Sequence, residues 1–188
     1  MIHATDLRKG SKILFNDEPY VVISFQWTKP GKGGAYIRTK MKNMISGLIH
    51  EATFRSEEKL DIPDLSYREM QYLYNDDTLY HFMDQETFDQ VALNKSQLDE
   101  VLDYLKEETV YTILYFGDRA IAVTPPLFME LEVTETPPGV RGDTAQGAAN
   151  KPATLETGLV LQVPLFVTEG DSIKVDTREG KYIERVKK

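Results

Sequence analysis

Lys32 stands in the run Lys29-Pro30-Gly31-Lys32-Gly33-Gly34, a long amine among residues with almost no side-chain bulk. Glycine permits backbone conformations closed to other residues and lets another surface approach the main chain. A lysine in such a setting is suited to meeting a phosphate or to carrying a covalent group. The spacing does not make a phosphate loop, which needs four residues between its glycines and a Ser or Thr after the lysine; here Gly33 follows. Four residues further on, Tyr36, Arg38, Lys40 and Lys42 recur with a period of two, which in a strand places them on one face. Other chemistry is scarce. The chain has no cysteine, which excludes disulfides, thiol nucleophiles and Cys-ligated zinc. Its three histidines, His3, His50 and His81, lack metal-ligand spacing. Asp76-Asp77 and Glu107-Glu108 fall at turns and helix ends, where exposure explains them, and Arg141-Gly142-Asp143 spells an adhesion tripeptide by coincidence. No catalytic constellation emerges, and neither an enzyme nor a metal site is expected.

The 188 residues carry a net charge of −8, which taken whole argues against a nucleic-acid partner. The distribution argues the other way. Residues 1–63 hold ten Lys/Arg against seven Asp/Glu, whereas residues 64–127 hold four against thirteen and residues 128–188 eight against ten. Between Glu18 and Glu51 there is no carboxylate, yet Lys29, Lys32, Arg38, Lys40 and Lys42 lie inside that stretch. A local field, not the average, binds phosphate. A solvated basic face and an RNA-binding face both fit this charge. No apolar run approaches the roughly 18 residues of a membrane span, and Met1-Ile2-His3-Ala4-Thr5-Asp6 has no signal pattern. A cytoplasmic protein is expected.

The elements that must position these residues are mostly strands. Lys12–Phe15, a turn at Asn16-Asp17-Glu18-Pro19, and Tyr20–Trp27 read as strand, turn, strand. In the second strand Val21, Ile23, Phe25 and Trp27 alternate with Val22, Ser24 and Gln26, so the first set is expected to face a core. Ala35–Lys42 is the return strand, and further strands are expected at Leu48–Arg55 and Lys59–Ile62, with a boundary at Pro63. The middle third reads as strands at Tyr67–Tyr74, Thr78–Met83 and Thr87–Leu93, a helix capped by Asn94 with Gln97 as its box partner, and a hairpin of Val110–Phe116 and Arg119–Val123. Leu98, Val101, Leu102 and Leu105 form that helix's apolar face. Three strands, a helix and two strands is the order of an OB-fold. Seven of the ten tyrosines lie here, and the local acidity makes them strand and core residues rather than stacking platforms. After Pro125-Pro126 come a strand at Leu127–Glu135, a long loop at Val140–Thr154, and strands at Gly158–Val167, Ser172–Asp176 and Tyr182–Val186.

The expected fold is therefore all-β, three small barrels in succession: an SH3-like or KOW-like barrel over 1–63, an acidic OB-fold domain over 64–127 with one short helix, and a C-terminal OB-fold domain over 128–188. Two strands of about eight residues at about 3.3 Å each project the Lys32 loop by roughly 25 Å. The arrangement is a narrow finger with a cation at its end and a basic stripe along its side; an ordinary glycine-rich turn with a solvated lysine fits the same residues.

At these residues the chain resembles a known family. Lys29-Pro30-Gly31-Lys32-Gly33-Gly34-Ala35-Tyr36 is similar to the hairpin tip of bacterial elongation factor P. Gly142-Asp143-Thr144, Asn150-Lys151-Pro152-Ala153, Glu156-Thr157-Gly158, Val163-Pro164-Leu165-Phe166 and Gly170-Asp171-Ser172-Ile173-Lys174-Val175-Asp176-Thr177 resemble that family's C-terminal signature, in the right order and at the family's length. The resemblance implies a monomeric factor that binds the ribosome between the peptidyl and exit tRNA sites. Its tip residue, Lys32 here, would lie by the CCA end of peptidyl-tRNA and relieve stalling at consecutive prolines. It implies that the Gly142-Asp143-Thr144 loop approaches the exit-site mRNA codon and that Tyr182 and Arg185 lie near tRNA. No dissociable cofactor is implied. In many members the tip residue carries a covalent extension added by a modifying enzyme. A sugar belongs to members with Arg at the tip, so a lysyl-type or amino-alcohol extension, or none, stays open for Lys32. Two other readings stay open beside the factor: a carrier whose hairpin lysine holds biotin or lipoate, and a general single-strand RNA-binding barrel protein.

Overall fold

The computed structural model describes residues 1–31, 33–98, 101–139 and 150–186. Almost all of its regular structure is strand, folded into barrel-like sheets, and no helix among the described residues is long and apolar enough to cross a membrane. The chain divides into two compact units, one comprising Met1–Tyr67 with Leu114–Ala122, the other Arg68–Ile113 with Val123–Lys188.

In the first unit, β1 (Ile2–His3), β2 (Lys12–Phe15), β3 (Glu18–Thr28), β4 (Tyr36–Asn43), β5 (Ile49–Arg55) and β6 (Lys59–Leu60) follow one another. Strands β2 to β5 make an antiparallel sheet in chain order, and β1 pairs with β6. A bridge between Leu14 and Asp61 ties β2 to the segment after β6. The β2–β3 turn puts Asn16 at φ 50° and Asp17 at φ 61°, the left-handed pair that suits a two-residue hairpin. Ala4, Leu7, Ile13, Tyr20, Val22, Ile37, Met41, Phe54 and Leu60 form the core, and Phe15 meets Tyr20 and Phe54 edge-on at 5.7 and 5.9 Å.

One expectation about β3 fails at a single residue. Pairing with β4 runs Val21↔Lys42 and Val22↔Met41, then resumes at Ser24↔Lys40 and Phe25↔Thr39. Ile23 is thus an extra residue, a bulge that shifts the alternation by one. Before it the inward positions are Tyr20 and Val22, not Val21 and Ile23; after it they are Phe25 and Trp27. These last two lie on the core-side face yet are 41% and 60% exposed.

The middle sheet has the order β11-β10-β7-β8-β9, from β7 (Leu65–Asn75), β8 (Leu79–Asp84), β9 (Gln90–Asn94), β10 (Val110–Phe116) and β11 (Arg119–Thr124). Tyr72, Phe82 and Tyr111 pack ring on ring, with centroids 5.3 to 6.4 Å apart. Tyr72, Tyr104, Tyr111 and Tyr115 are buried, as expected of core tyrosines, whereas Tyr67 and Tyr74 are exposed. The hydroxyl of Tyr111 donates to the Tyr104 carbonyl at 2.7 Å and accepts from the Lys106 amide at 2.9 Å; burial pushes its pKa up to about 12.

The expected helix is corrected to two 3-10 turns, Lys95–Gln97 and Leu102–Tyr104. Its capping box is present: Asn94 accepts from the Gln97 amide, and the Gln97 side chain accepts from the Asn94 amide at 3.0 Å. The tighter winding follows from burial of Leu98 and Val101 three residues apart, which eclipses them in a three-residue turn. Amide bonds from Leu98 to Lys95, Val101 to Leu98 and Tyr104 to Val101 span that same interval.

The C-terminal sheet runs β14-β13-β12-β15-β16, from β12 (Phe128–Glu135), β13 (Asn150–Leu155), β14 (Val160–Pro164), β15 (Ser172–Asp176) and β16 (Lys181–Arg185). Strand β13 corrects the expected loop at its C-terminal end. Its polar, Pro-containing composition hides a period of two in which Lys151, Ala153 and Leu155 turn inward. The buried Lys151 donates from Nζ to the Pro137 carbonyl at 2.7 Å.

Beside β15, the Arg178 guanidinium donates to both carboxylate oxygens of Asp176, at 3.2 and 2.7 Å, and the Arg178 amide adds a bond at 2.9 Å. These hold the Asp176 pKa at about 2, below the ordinary 3.8. A carboxylate lowered in the folded state stabilises fully above its unfolded value, and that contribution is lost as pH falls toward the folded one. Denaturant titrations between about pH 4 and about pH 2 are expected to show a steeper loss of stability for the native chain than for Asp176→Asn. Equal slopes would show that this carboxylate does not sense folding.

Candidate functional site

The β3–β4 hairpin carries the stripe singled out in the sequence. Strand β4 alternates strictly: Ile37, Thr39, Met41 and Asn43 are buried, and Arg38, Lys40 and Lys42 are exposed, with Tyr36 half-buried at the loop end. Asn43 anchors the far end, its side-chain oxygen accepting from the amides of Ile45 and Ser46 at 2.8 and 2.9 Å while its own amide bonds the Leu48 carbonyl. On the outer face Arg38 lies between Gln26 and Thr53, and Lys40 between Ser24 and Glu51. None of the three cations is in an ion pair among the described residues. Alternate residues of a strand stand about 7 Å apart, so the stripe offers a short ladder of cations free to meet phosphates.

The last pair of the hairpin is Thr28↔Tyr36. In the connection, Lys29, Gly31, Gly33 and Gly34 are exposed and Pro30 is half-buried. Gly33 adopts φ 109°, a conformation that strains any side chain. Lys32 itself lies outside the described residues, as do Gly142, Asp143 and Thr144. A groove of about 1050 Å³ opens beside the loop's return, lined by Gly34, Ala35, Tyr36, Arg55, Ser56 and Glu57 among others. Among the described residues no cluster of three or more His, Asp or Glu could hold a metal ion.

The C-terminal residues implied by resemblance share a face for a reason the sequence conceals. Strand β16 pairs Val175↔Tyr182 and then Lys174↔Glu184 and Ile173↔Arg185. Ile183 is the extra residue, so Tyr182 and Arg185, three apart, fall on the same side of the strand. Tyr182 is half-buried, and Arg185 is exposed over the Phe166 ring at 5.5 Å, 3.6 Å from the Asp171 carboxylate. Phe166, 58% exposed, entered the sequence reading only as part of a family signature, and Phe25 and Trp27 were not read as surface residues. The nearness of Trp27 to the loop was the one available signal.

A four-stranded antiparallel sheet with a glycine-rich basic hairpin, followed along the chain by OB-type strands, is a fold with solved counterparts. It is shared with solved structures of a eukaryotic translation initiation factor 5A from Methanococcus jannaschii (TM-score 0.58, 18% identity, 66% of this chain and 93% of that one). A second is an eIF-5a family protein from Naegleria fowleri (TM-score 0.51, 15% identity, 65% and 96%). Family models match residues 3–60 (elongation factor P KOW-like domain), 65–123 (elongation factor P OB domain) and 129–185 (elongation factor P, C-terminal). Curated relatives named elongation factor P include those of Thermoanaerobacter sp. strain X514, 50% identical over 99% of this chain and all of that one, and of Desulfosudis oleivorans, 51% identical over the whole of both. The chain belongs to the elongation factor P family and is thus an elongation factor of protein synthesis.

Proposed function

We propose that this factor binds the ribosome between the peptidyl and exit tRNA sites and speeds peptide-bond formation at consecutive prolines, with the Lys32 amine holding the CCA end of peptidyl-tRNA in a reactive pose. The unpaired cation ladder of β4, in a stretch without carboxylates, carries this reading. Proline is a constrained nucleophile, and a proline-rich nascent chain holds the reacting ester in a poor geometry. Fixing one partner supplies orientation, an effect able to contribute several kcal/mol to a barrier. In this reading Lys32 acts as a charge rather than as a proton donor. The factor is an accessory to the ribosome's own chemistry, not an enzyme.

In the same reading the chain works in the cytoplasm as a monomer built of domains 1–63, 64–127 and 128–188. Its Gly142-Asp143-Thr144 loop faces the exit-site codon, and Tyr182 and Arg185 meet tRNA. It needs no dissociable cofactor; Lys32 works either as the bare amine or with a lysyl-type or amino-alcohol extension, which would lengthen its reach. Ribosomes programmed with peptidyl-tRNA and an empty exit site are expected to retain the chain, and deacylated tRNA in the exit site to displace it. Retention indifferent to exit-site occupancy would overturn the placement and favour a general RNA-binding protein.

A further inference from the structure

Trp27 is the chain's single tryptophan. It is 60% exposed, and Phe25, two residues back on the same face, is 41% exposed. Their partners across the hairpin, Ile37 and Thr39, are 2% and 0% exposed. Toward the loop end of the hairpin the packed interior therefore takes in β4 but not β3, and the two rings stand outside the core cluster. No other described ring pairs with either of them. Single exposed apolar residues are ordinary on protein surfaces, but two aromatics adjacent on one face, beside a glycine-rich loop, are a platform. Phe25 and Trp27 share a face by the period of the strand, and the Ile23 bulge makes that face the opposite of the one Val21 occupies.

The same hairpin determines what the platform takes. From Pro19 to His50 it holds only positive charge: Lys29 is two residues beyond Trp27, and Arg38, Lys40 and Lys42 line the other face of β4. An occupant must bring flat apolar surface and negative charge together. Single-stranded nucleic acid does so, because every base has a π-face and every linkage a phosphate. We propose that Trp27, backed by Phe25, is a stacking ledge for an unpaired base of an RNA strand whose phosphates meet the hairpin at its loop end, where Lys29 stands two residues away, rather than on the stripe of the opposite face. The proposal rests on the ribosomal reading above and adds to it a base contact separate from the Lys32 amine.

A sole tryptophan makes the test direct. The full-length chain is titrated at low salt with a single-stranded RNA hexamer and with an abasic ribose-phosphate strand of the same length, reading Trp27 fluorescence and the anisotropy of end-labelled strands. The RNA is expected to quench Trp27 and the abasic strand to bind without quenching. Trp27→Leu is expected to weaken RNA binding about 10-fold, and Trp27→Phe to stay within about 3-fold of the native chain. Equal quenching by both strands, or native RNA affinity in Trp27→Leu, would overturn the ledge; native ribosome binding in Trp27→Leu alongside it would assign the platform to an apolar protein partner. Base-dependent quenching by a chain that fails to stimulate Pro-Pro-Pro synthesis would overturn the ribosomal reading and leave the ledge standing. Normal stimulation without base-dependent quenching would do the reverse.

Discussion

Lys32→Ala is expected to leave the chain folded and to remove most of its stimulation of Pro-Pro-Pro synthesis, lowering the rate about 10- to 100-fold toward that of ribosomes without factor. Such a drop corresponds to about 1.4 to 2.8 kcal/mol of barrier. The neighbours of Lys32 in sequence, Gly31 and Gly33, are exposed and outside the core. Substitutions away from packed or strained positions change stability by less than about 0.5 kcal/mol, so a large functional loss would not be a folding loss. The measurement is tripeptide formation in a reconstituted system, with urea unfolding as the stability control. Lys32→Arg separates charge from shape: it keeps the cation, and a chain relying on positioning by charge retains part of the effect. Native-level Pro-Pro-Pro synthesis by Lys32→Ala would remove the tip from the mechanism. The intact mass of the tip peptide from native protein tells which species is compared. An acyl cofactor there would favour the carrier.

The second large effect is charge reversal on the stripe. Arg38→Glu with Lys40→Glu is expected to weaken ribosome binding about 100-fold or more at low salt, with the difference shrinking as salt rises. If both residues meet phosphates, the slope of log affinity against log salt falls by about 1.4 to 1.8, the counterions two contacts release. Neither residue is in an ion pair among the described residues, so reversal breaks no internal bridge. Lys40 does lie across from Glu51, and like charges directly opposite on a sheet destabilise it by roughly 0.2–1 kcal/mol. Arg38→Gln with Lys40→Gln avoids that repulsion and is expected to lose about 10-fold in binding with the fold unchanged. Unchanged binding of the reversed chain at low salt would take the stripe out of the account.

Most of the strands could be read from local chemistry. Asn16-Asp17 and Gly117-Asp118 mark hairpins because few residues other than Asn, Asp and Gly tolerate the turn, and both hairpins formed. The alternation of Ile37, Thr39 and Met41 with Arg38, Lys40 and Lys42 needs no more than the period of a strand, and β4 follows it without a break. The capping box at Asn94 formed for the same local reason, although the winding after it answered to the burial of Leu98 and Val101. Strand β13 was hidden because its inward residues, Lys151 and Ala153, are a cation and a methyl group rather than the branched side chains that announce a strand.

By itself, then, the order of residues determined where strands and turns fall, which side of β4 is charged, and that a lysine sits among glycines between two strands. It also determined the family to which the chain belongs, because those motifs recur along its full length. Tertiary structure alone decided two further things: that Phe25 and Trp27 stand in solvent, and that Tyr182 and Arg185 share a side of β16. A bulge sets the face in each case, at Ile23 and at Ile183, while the exposure of the two rings follows from a core cluster that ends before them. An extra residue in one strand is set by the register of its partner, many positions away, and a shift of one reverses every side chain beyond it.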